Sequence, residues 1–241
     1  MALADILKSI FPEGHTLKEN GGLVFGEGKR LQGSAVHILG VVHDTPLGIE
    51  DTAALAARVL EIARETGDAP ILFVIDSNSQ RMSRHDELLG LSEYLSHLAK
   101  ALRLAEVHGH RSIGLLYGHT AAGAFIATAL AAGVLIGLPG ANPEVMDLPS
   151  VSRVTKLSID VLKEKAKTNP VFAPGLDYLA LTGAVHRIWD PAQPLAPQFE
   201  SVLAEPVSDV DVRPQAGLER GGRPQARHIV DQVLAEAGRH A

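Results

Sequence analysis

The segment RSIGLLYGHTAAGAFIATALAA, residues 111–132, constrains the fold more than any other part of the chain. It reads as a buried strand at 113–117, a tight turn at 118–122 and a helix of small and apolar residues at 123–132. Glycine and alanine in the turn let the backbone come close to another group, and the first turn of a helix leaves amide N–H groups unpaired. With the positive end of the helix dipole, such amides suit an anion or a developing oxyanion. The same residues also suit a plain strand-to-helix connection, and on their own they leave both readings open. A hydrolase reading is weaker: in GHTAA, Thr120 would have to stand for the serine of a G-x-S-x-G elbow and Ala122 for its second glycine.

The flanking segments extend an α/β pattern. Helices are expected at 3–11, 50–66 (capped by Asp51 or Thr52), 88–108 and 226–238, with shorter ones at 149–153, 158–167, 175–182 and 199–203. Strands are expected at 23–25, 35–42, 70–76, 134–138, 145–148 and 185–189. The run APILFVID is continuously apolar, as in a strand covered on both faces. SNSQRMSRHDE after it reads as a polar loop, 169–174 as a break, and 205–223 as the least structured segment by composition. Residues 1–204 are expected to form one domain. Residues 205–241 are expected to be a linker and a helix that packs on that domain or on a partner.

At 241 residues and 46% hydrophobic content, the chain is long enough for one sizeable core. The absence of cysteine excludes disulfides, thiolate zinc sites and cysteine nucleophiles. A formal net charge of −6 with scattered positive charges argues against nucleic acid. The N-terminus does not read as a secretory signal and no apolar run is dry enough to cross a membrane, so a cytoplasmic protein without membrane contact is expected. His37, His43, His85, His97, His108 and His110 lack metal-ligand spacing, and no metal is expected.

Three segments carry a resemblance: PILFVIDSNSQ at 70–80, YGHTAAGAFIATAL at 117–130 and LPGANPEVMDLPSVSRVTK at 138–156. They resemble the gamma subunits of biotin-independent malonate decarboxylases, which group with the carboxyltransferase subunits of acyl-CoA carboxylases. The resemblance covers roughly residues 33–189 and implies an α/β, crotonase-like (ClpP/crotonase) fold of stacked ββα units. It also implies a heterodimer with a homologous beta subunit and an active site shared between them. Together they would decarboxylate malonyl-[acyl carrier protein] to acetyl-[acyl carrier protein] and CO2. An acyl carrier protein subunit and its transferase subunit would complete the assembly. The thioester would ride on the carrier's prosthetic group, and this chain would bind no cofactor itself.

Ala121-Ala122-Gly123-Ala124 falls on the family's Ser-Gly-Gly-Ala turn, whose peptide N–H groups form an oxyanion hole. The resemblance therefore assigns the backbone amides of Ala122 and Gly123 to catalysis, facing the departing carboxylate. Ala122 replaces a glycine there; an alanine presents its N–H if its φ is negative, so the hole survives only if that backbone is not left-handed. Ser77, Asn78, Ser79, Gly118, His119 and Thr120 are the candidate substrate-binding residues. Polar Ser77, Asn78 and Ser79 stand where the family has a glycine-rich loop, which agrees with a biotin-independent enzyme. Bland alternatives stand beside these: local turn bonds for Ser77, Asn78 and Ser79, a structural cap rather than a proton donor for His119, and loop capping for Asp76. Arg81, Arg84 and His85 are either a solvated loop or a contact for an acidic carrier. The competing functions are a biotin-dependent acyl-CoA carboxylase's carboxyltransferase subunit and a non-catalytic subunit that buttresses its partner.

Overall fold

In the computed structural model, which describes residues 1–170, 174–208 and 210–239, the apolar run after Pro70 lies in the middle of a seven-stranded sheet. The strands in chain order are β1 (His15–Asn20), β2 (Leu23–Lys29), β3 (Ala35–Leu47), β4 (Ile71–Gln80), β5 (Ser112–Leu116), β6 (His119–Ala121), β7 (Val134–Gly137), β8 (Asn142–Glu144) and β9 (Arg187–Ile188). The sheet runs β1-β2-β3-β4-β5-β7-β9, antiparallel as far as β3 and parallel from β3 to β9. Strands β6 and β8 form a separate parallel pair. The helices are α1 (Leu3–Ile10), α2 (Ile49–Ile62), α3 (Arg84–Leu88), α4 (Leu91–Val107), α5 (Ala122–Ala127), α6 (Leu148–Thr155), α7 (Ile159–Ala166), α8 (Leu176–Leu181), α9 (Leu195–Ala204), α10 (Arg213–Glu219) and α11 (Pro224–Ala237).

Alternation along β4 builds the two halves of the core. Ile71, Phe73 and Ile75 join Leu55 and Val59 of α2, Leu98 and Leu102 of α4 and Phe125 of α5. Leu72 and Val74 point the other way, toward Ile6 and Ile10 of α1, Phe199 of α9 and Trp189. Both faces are buried, which is why the run shows no polar alternation. Phe199 stands edge-on to Phe11 at 5.7 Å and to Trp189 at 6.3 Å, closing the second half.

The α/β expectation holds, and the departures from it have local causes. The loop expected after Asp76 is strand as far as Gln80, because β3 runs on beside it and pairs Thr45 with Ser77 and Leu47 with Gln80. The expected helix at 88–108 is divided by Gly90, whose φ of 85° suits glycine. The helix expected at 123–132 ends at Ala127, and the Thr128 hydroxyl bonds back to the Ala124 carbonyl. The strand expected at 145–148 lies earlier, at β8, since Asp147 caps α6 by accepting the Ser150 N–H. Strand β1 was not expected: HTLKEN is a polar edge strand without an apolar stripe. Helix α10 forms inside the segment expected to be unstructured, and Arg213 at its start donates to the Leu130 carbonyl at 3.0 Å. The break expected at 169–174 falls partly outside the described residues. Helix α11 forms as expected, but Ile229, Val230, Val233 and Leu234 are exposed and none of its residues is buried on the rest of the chain.

At the opposite end of the sheet from the polar turn, His37 is buried against His110, with the rings 6.4 Å apart. Burial holds the His37 pKa below its ordinary 6.5, Arg58 and His110 push the same way, and Glu65 and Glu27 oppose them. The folded state thus binds this proton less readily than the unfolded chain, so stability is full above pH 6.5 and falls as pH drops below it. The urea midpoint is expected to fall on acidification from above to below pH 6.5, and this slope should flatten in His37→Gln.

Candidate active site

Parallel α/β sheets open their crevices at the carboxyl ends of the strands. At that end β3 leaves regular pairing: Val41 pairs with Ile75 but Thr45 with Ser77, so β3 carries extra residues. Two of them, His43 and Asp44, are left-handed with φ of 61° and 52°, an uncommon and strained conformation for non-glycine residues. Such bulges re-aim side chains. Here the bulge aims Asp44 at two partners: Asn78 donates Nδ2–H to Asp44 Oδ2 at 2.9 Å, and His119 Nδ1 lies 3.0 Å from Asp44 Oδ1. On the other side of the ring, His119 Nε2 lies 3.4 Å from Glu144 Oε1. The main-chain N–H of His119 donates to Asp76 Oδ1 at 3.1 Å. Gly118 is required for that contact, since a Cβ there would sit 2.0 Å from the same oxygen. Burial works against charge on His119, but the hydrogen bonds and charges of Asp44 and Glu144 outweigh it and raise its pKa above 6.5.

The turn itself differs from the expectation at both amides. Ala122 has a φ of 49°, so the backbone is left-handed and the condition set for a hole of two amides is not met. The Gly123 N–H is already engaged, donating to Gln80 Oε1 at 2.8 Å. Gln80, and not His119, caps α5. No sequence motif marks Gln80; the only signal is the general need of a helix N-terminus for acceptors. The bend is not sealed, however. A hollow of about 230 Å³ opens against it, lined by Ser92, Leu95, Ser96 and Ala99 of α4 and Gly123, Ile126 and Ala127 of α5.

Ser77 and Thr120 are corrected as substrate-binding candidates. Both are fully buried and their hydroxyls share a 2.8 Å hydrogen bond that ties β4 to β6, which also leaves Thr120 without a base to activate it. Asn78 Oδ1 accepts the Ser79 N–H and Ser79 Oγ donates to the Gln80 carbonyl, so Ser79 bonds locally while Asn78 also reaches Asp44. Asp76 turns out to bond the turn at His119. Arg81 is not a free cation: it holds buried Asp86 at 2.7 and 2.8 Å and Glu50 at 2.5 Å. That pairing keeps the Asp86 carboxyl far below the usual carboxylate range. Among the described residues no cluster could hold a metal ion, and no helix is long and apolar enough to cross a membrane.

A left-handed L-residue costs roughly 1–2 kcal/mol. Ala122→Gly should therefore leave the thermal midpoint unchanged or raise it, whereas β-branched Ala122→Val should lower it, as read by thermal unfolding.

Residues 42–237 match the family described as malonate decarboxylase gamma subunit. The chain is similar to malonyl-S-ACP:biotin-protein carboxyltransferase MADD of Malonomonas rubra, with 32% identity over 157 residues, 61% of this chain and 54% of that protein. It thus spans about half the length of that curated relative. Its structure is similar to a chain of the Pseudomonas malonate decarboxylase MdcD-MdcE hetero-dimer: TM-score 0.74 and 25% identity, over 98% of this chain and 100% of that one. Transcarboxylase 12S, at TM-score 0.66 and 17% identity over 86% of this chain and 42% of that one, shares the fold alone. The expected crotonase-like fold is the one these structures have. With about four-fifths of its length inside the matched family, the chain belongs to the malonate decarboxylase gamma subunits.

Proposed function

We propose that this chain works with a homologous beta subunit to decarboxylate malonyl-[acyl carrier protein], giving acetyl-[acyl carrier protein] and CO2 at a site the two subunits share. The reading extends to an acyl carrier protein and its transferase subunit as further partners and to a cytoplasmic location. One observation carries it: Gly123 lines a hollow, and its N–H holds a carbonyl-type oxygen, that of Gln80, at 2.8 Å. Loss of CO2 from a malonyl thioester needs no base, because the breaking carbon–carbon bond supplies the electron pair. What it needs is a donor aimed at the thioester oxygen, where negative charge develops, and a hold on the carboxylate that leaves. In this reading the Gln80 oxygen stands where an oxygen of the departing carboxylate binds, and it yields when the acyl group arrives. Ala122 is the left-handed corner that aims the amide after it, and Gly123 faces the departing carboxylate while the partner holds the thioester oxygen. The exposed stripe of Ile229, Val230, Val233 and Leu234 offers the partner subunit an apolar face.

A second reading has one specific support. The similarity to MADD favours carboxyl transfer to a biotinyl protein. Polar Ser77, Asn78 and Ser79 in place of a glycine-rich loop favour the biotin-independent reaction. Co-expression with the beta subunit and an assay of CO2 release from malonyl carrier protein separates them. Release without any biotinyl protein is expected; loss of the malonyl carboxyl group only when a biotinyl protein is added, with that group recovered on the biotin and not as CO2, supports carboxyl transfer instead. Gly123→Pro, which removes the N–H, should lower turnover about 10²–10³-fold with the heterodimer intact on gel filtration. Unchanged turnover would leave the chain a buttress without a catalytic part.

A further inference from the structure

We infer that His119 is the acid that protonates the carbanion left by decarboxylation, with Asp44, Asn78 and Glu144 positioning its ring. This inference rests on the decarboxylase reading above. The malonyl carboxylate leaves as neutral CO2, so its electron pair stays on the acyl group, shared between the methylene carbon and the thioester oxygen. The acetyl product needs one proton on that carbon, and each turnover draws one from water. A suitable donor must carry a proton near neutrality, sit in the crevice, and be open enough to recharge.

His119 meets all three needs. Its ring lies between two carboxylates, 3.0 Å from Asp44 and 3.4 Å from Glu144. Asp44 is itself fixed, by the Asn78 amide at 2.9 Å and by the left-handed bulge of His43 and Asp44. Asp76 holds the main chain of His119, and on the outer side of the bulge His43 pairs with Glu19. The groups that bond the ring itself, Asp44 and Glu144, are both acidic. The side chain is 31% exposed, which lets the ring regain a proton from water. Nδ1 is the firmly held nitrogen, and Nε2, whose contact is long, is the one that delivers. In the step, the Nε2–H bond breaks as the C–H bond forms. The enolate's pair becomes the new bond, Nε2 keeps its own pair, and the neutral ring then takes up a proton.

Placement links this acid to the amide. Asn78, which reaches the His119 cluster through Asp44, and Gln80, which marks the Gly123 amide, are two residues apart on β4. Two residues of strand span at most about 7 Å. The Gly123 amide and the imidazole cluster are thus both held by the same overhang of β4 at the carboxyl end of the sheet. Gln80 caps α5, so the His119 ring is not engaged by that helix.

The test uses the heterodimer of this chain with its beta subunit. Malonyl carrier protein bearing a stereospecific tritium label on the methylene is turned over in D2O, and the chirality of the acetyl methyl is read alongside CO2 release. The wild type should give one chirality and a rate that falls on the basic side as His119 loses its proton. His119→Gln should give racemic methyl, lose the basic limb, and turn over about 10²-fold more slowly. Asp44→Asn should keep one chirality and move the basic limb to lower pH, a shift that a purely structural role would not produce. One chirality and an intact basic limb in His119→Gln overturns the assignment, as does racemic product from the wild type. If the wild-type heterodimer releases no CO2, the decarboxylase reading falls, and this inference with it.

Discussion

Everything in the candidate site depends on hydrogen bonding between the overhang of β4 and the turn that follows β5. Strand β5 stops at Leu116, opposite Ile75, while β4 continues for five more residues to Gln80. Beyond Ile75 there is no strand on that side to pair with, so the side chains find partners instead. Asp76 takes the His119 N–H, Ser77 the Thr120 hydroxyl, Asn78 the Asp44 carboxylate, and Gln80 the Gly123 N–H. One polar overhang thus fixes the turn, the bulge of β3 and the start of α5 together.

Such an arrangement tolerates little change, because its members are satisfied in pairs. Ser77 and Thr120 are both fully buried, and truncating either leaves the other hydroxyl without a partner at a cost of about 1–3 kcal/mol. The far end of the overhang is clamped as well. The Arg81 N–H donates to the Leu47 carbonyl at 2.7 Å, and its guanidinium grips Asp86, which in turn accepts the Ile49 N–H that opens α2. The site therefore inherits its rigidity from both ends of a strand, while its polar groups lie between them.

This arrangement also explains which parts of the molecule could be read from residues. APILFVID announces its strand because burial on both faces leaves no room for polar residues, and α2 and α4 show apolar stripes at helical spacing. SNSQ does not announce a strand, because serine and asparagine satisfy turns equally well and only the β3 residues 45–47 alongside decide the matter. Likewise, the alanines of 127–132 read as helix by propensity, but Thr128 bonding back to Ala124 marks where α5 stops. The Gly123 amide was legible through the family turn. Gln80 was not, since a cap supplied from 43 residues away leaves no local pattern. The stripe on α11 was legible as amphipathic, but periodicity says nothing of what covers it.

The Gln80 cap bears on how the proposed site would turn over. A carboxamide oxygen is a neutral acceptor, and hydrogen bonds to ionised acceptors are roughly twice as strong as neutral ones. In the proposed site a carboxylate oxygen arriving at the Gly123 N–H would therefore displace Gln80, whereas a neutral acetyl group would not hold its place against it. The amide stays satisfied in the empty state, and the left-handed Ala122 need not be stabilised by substrate. Exchange between a neutral internal acceptor and a charged external one makes binding selective for the reactant's charge and release of the uncharged product easy.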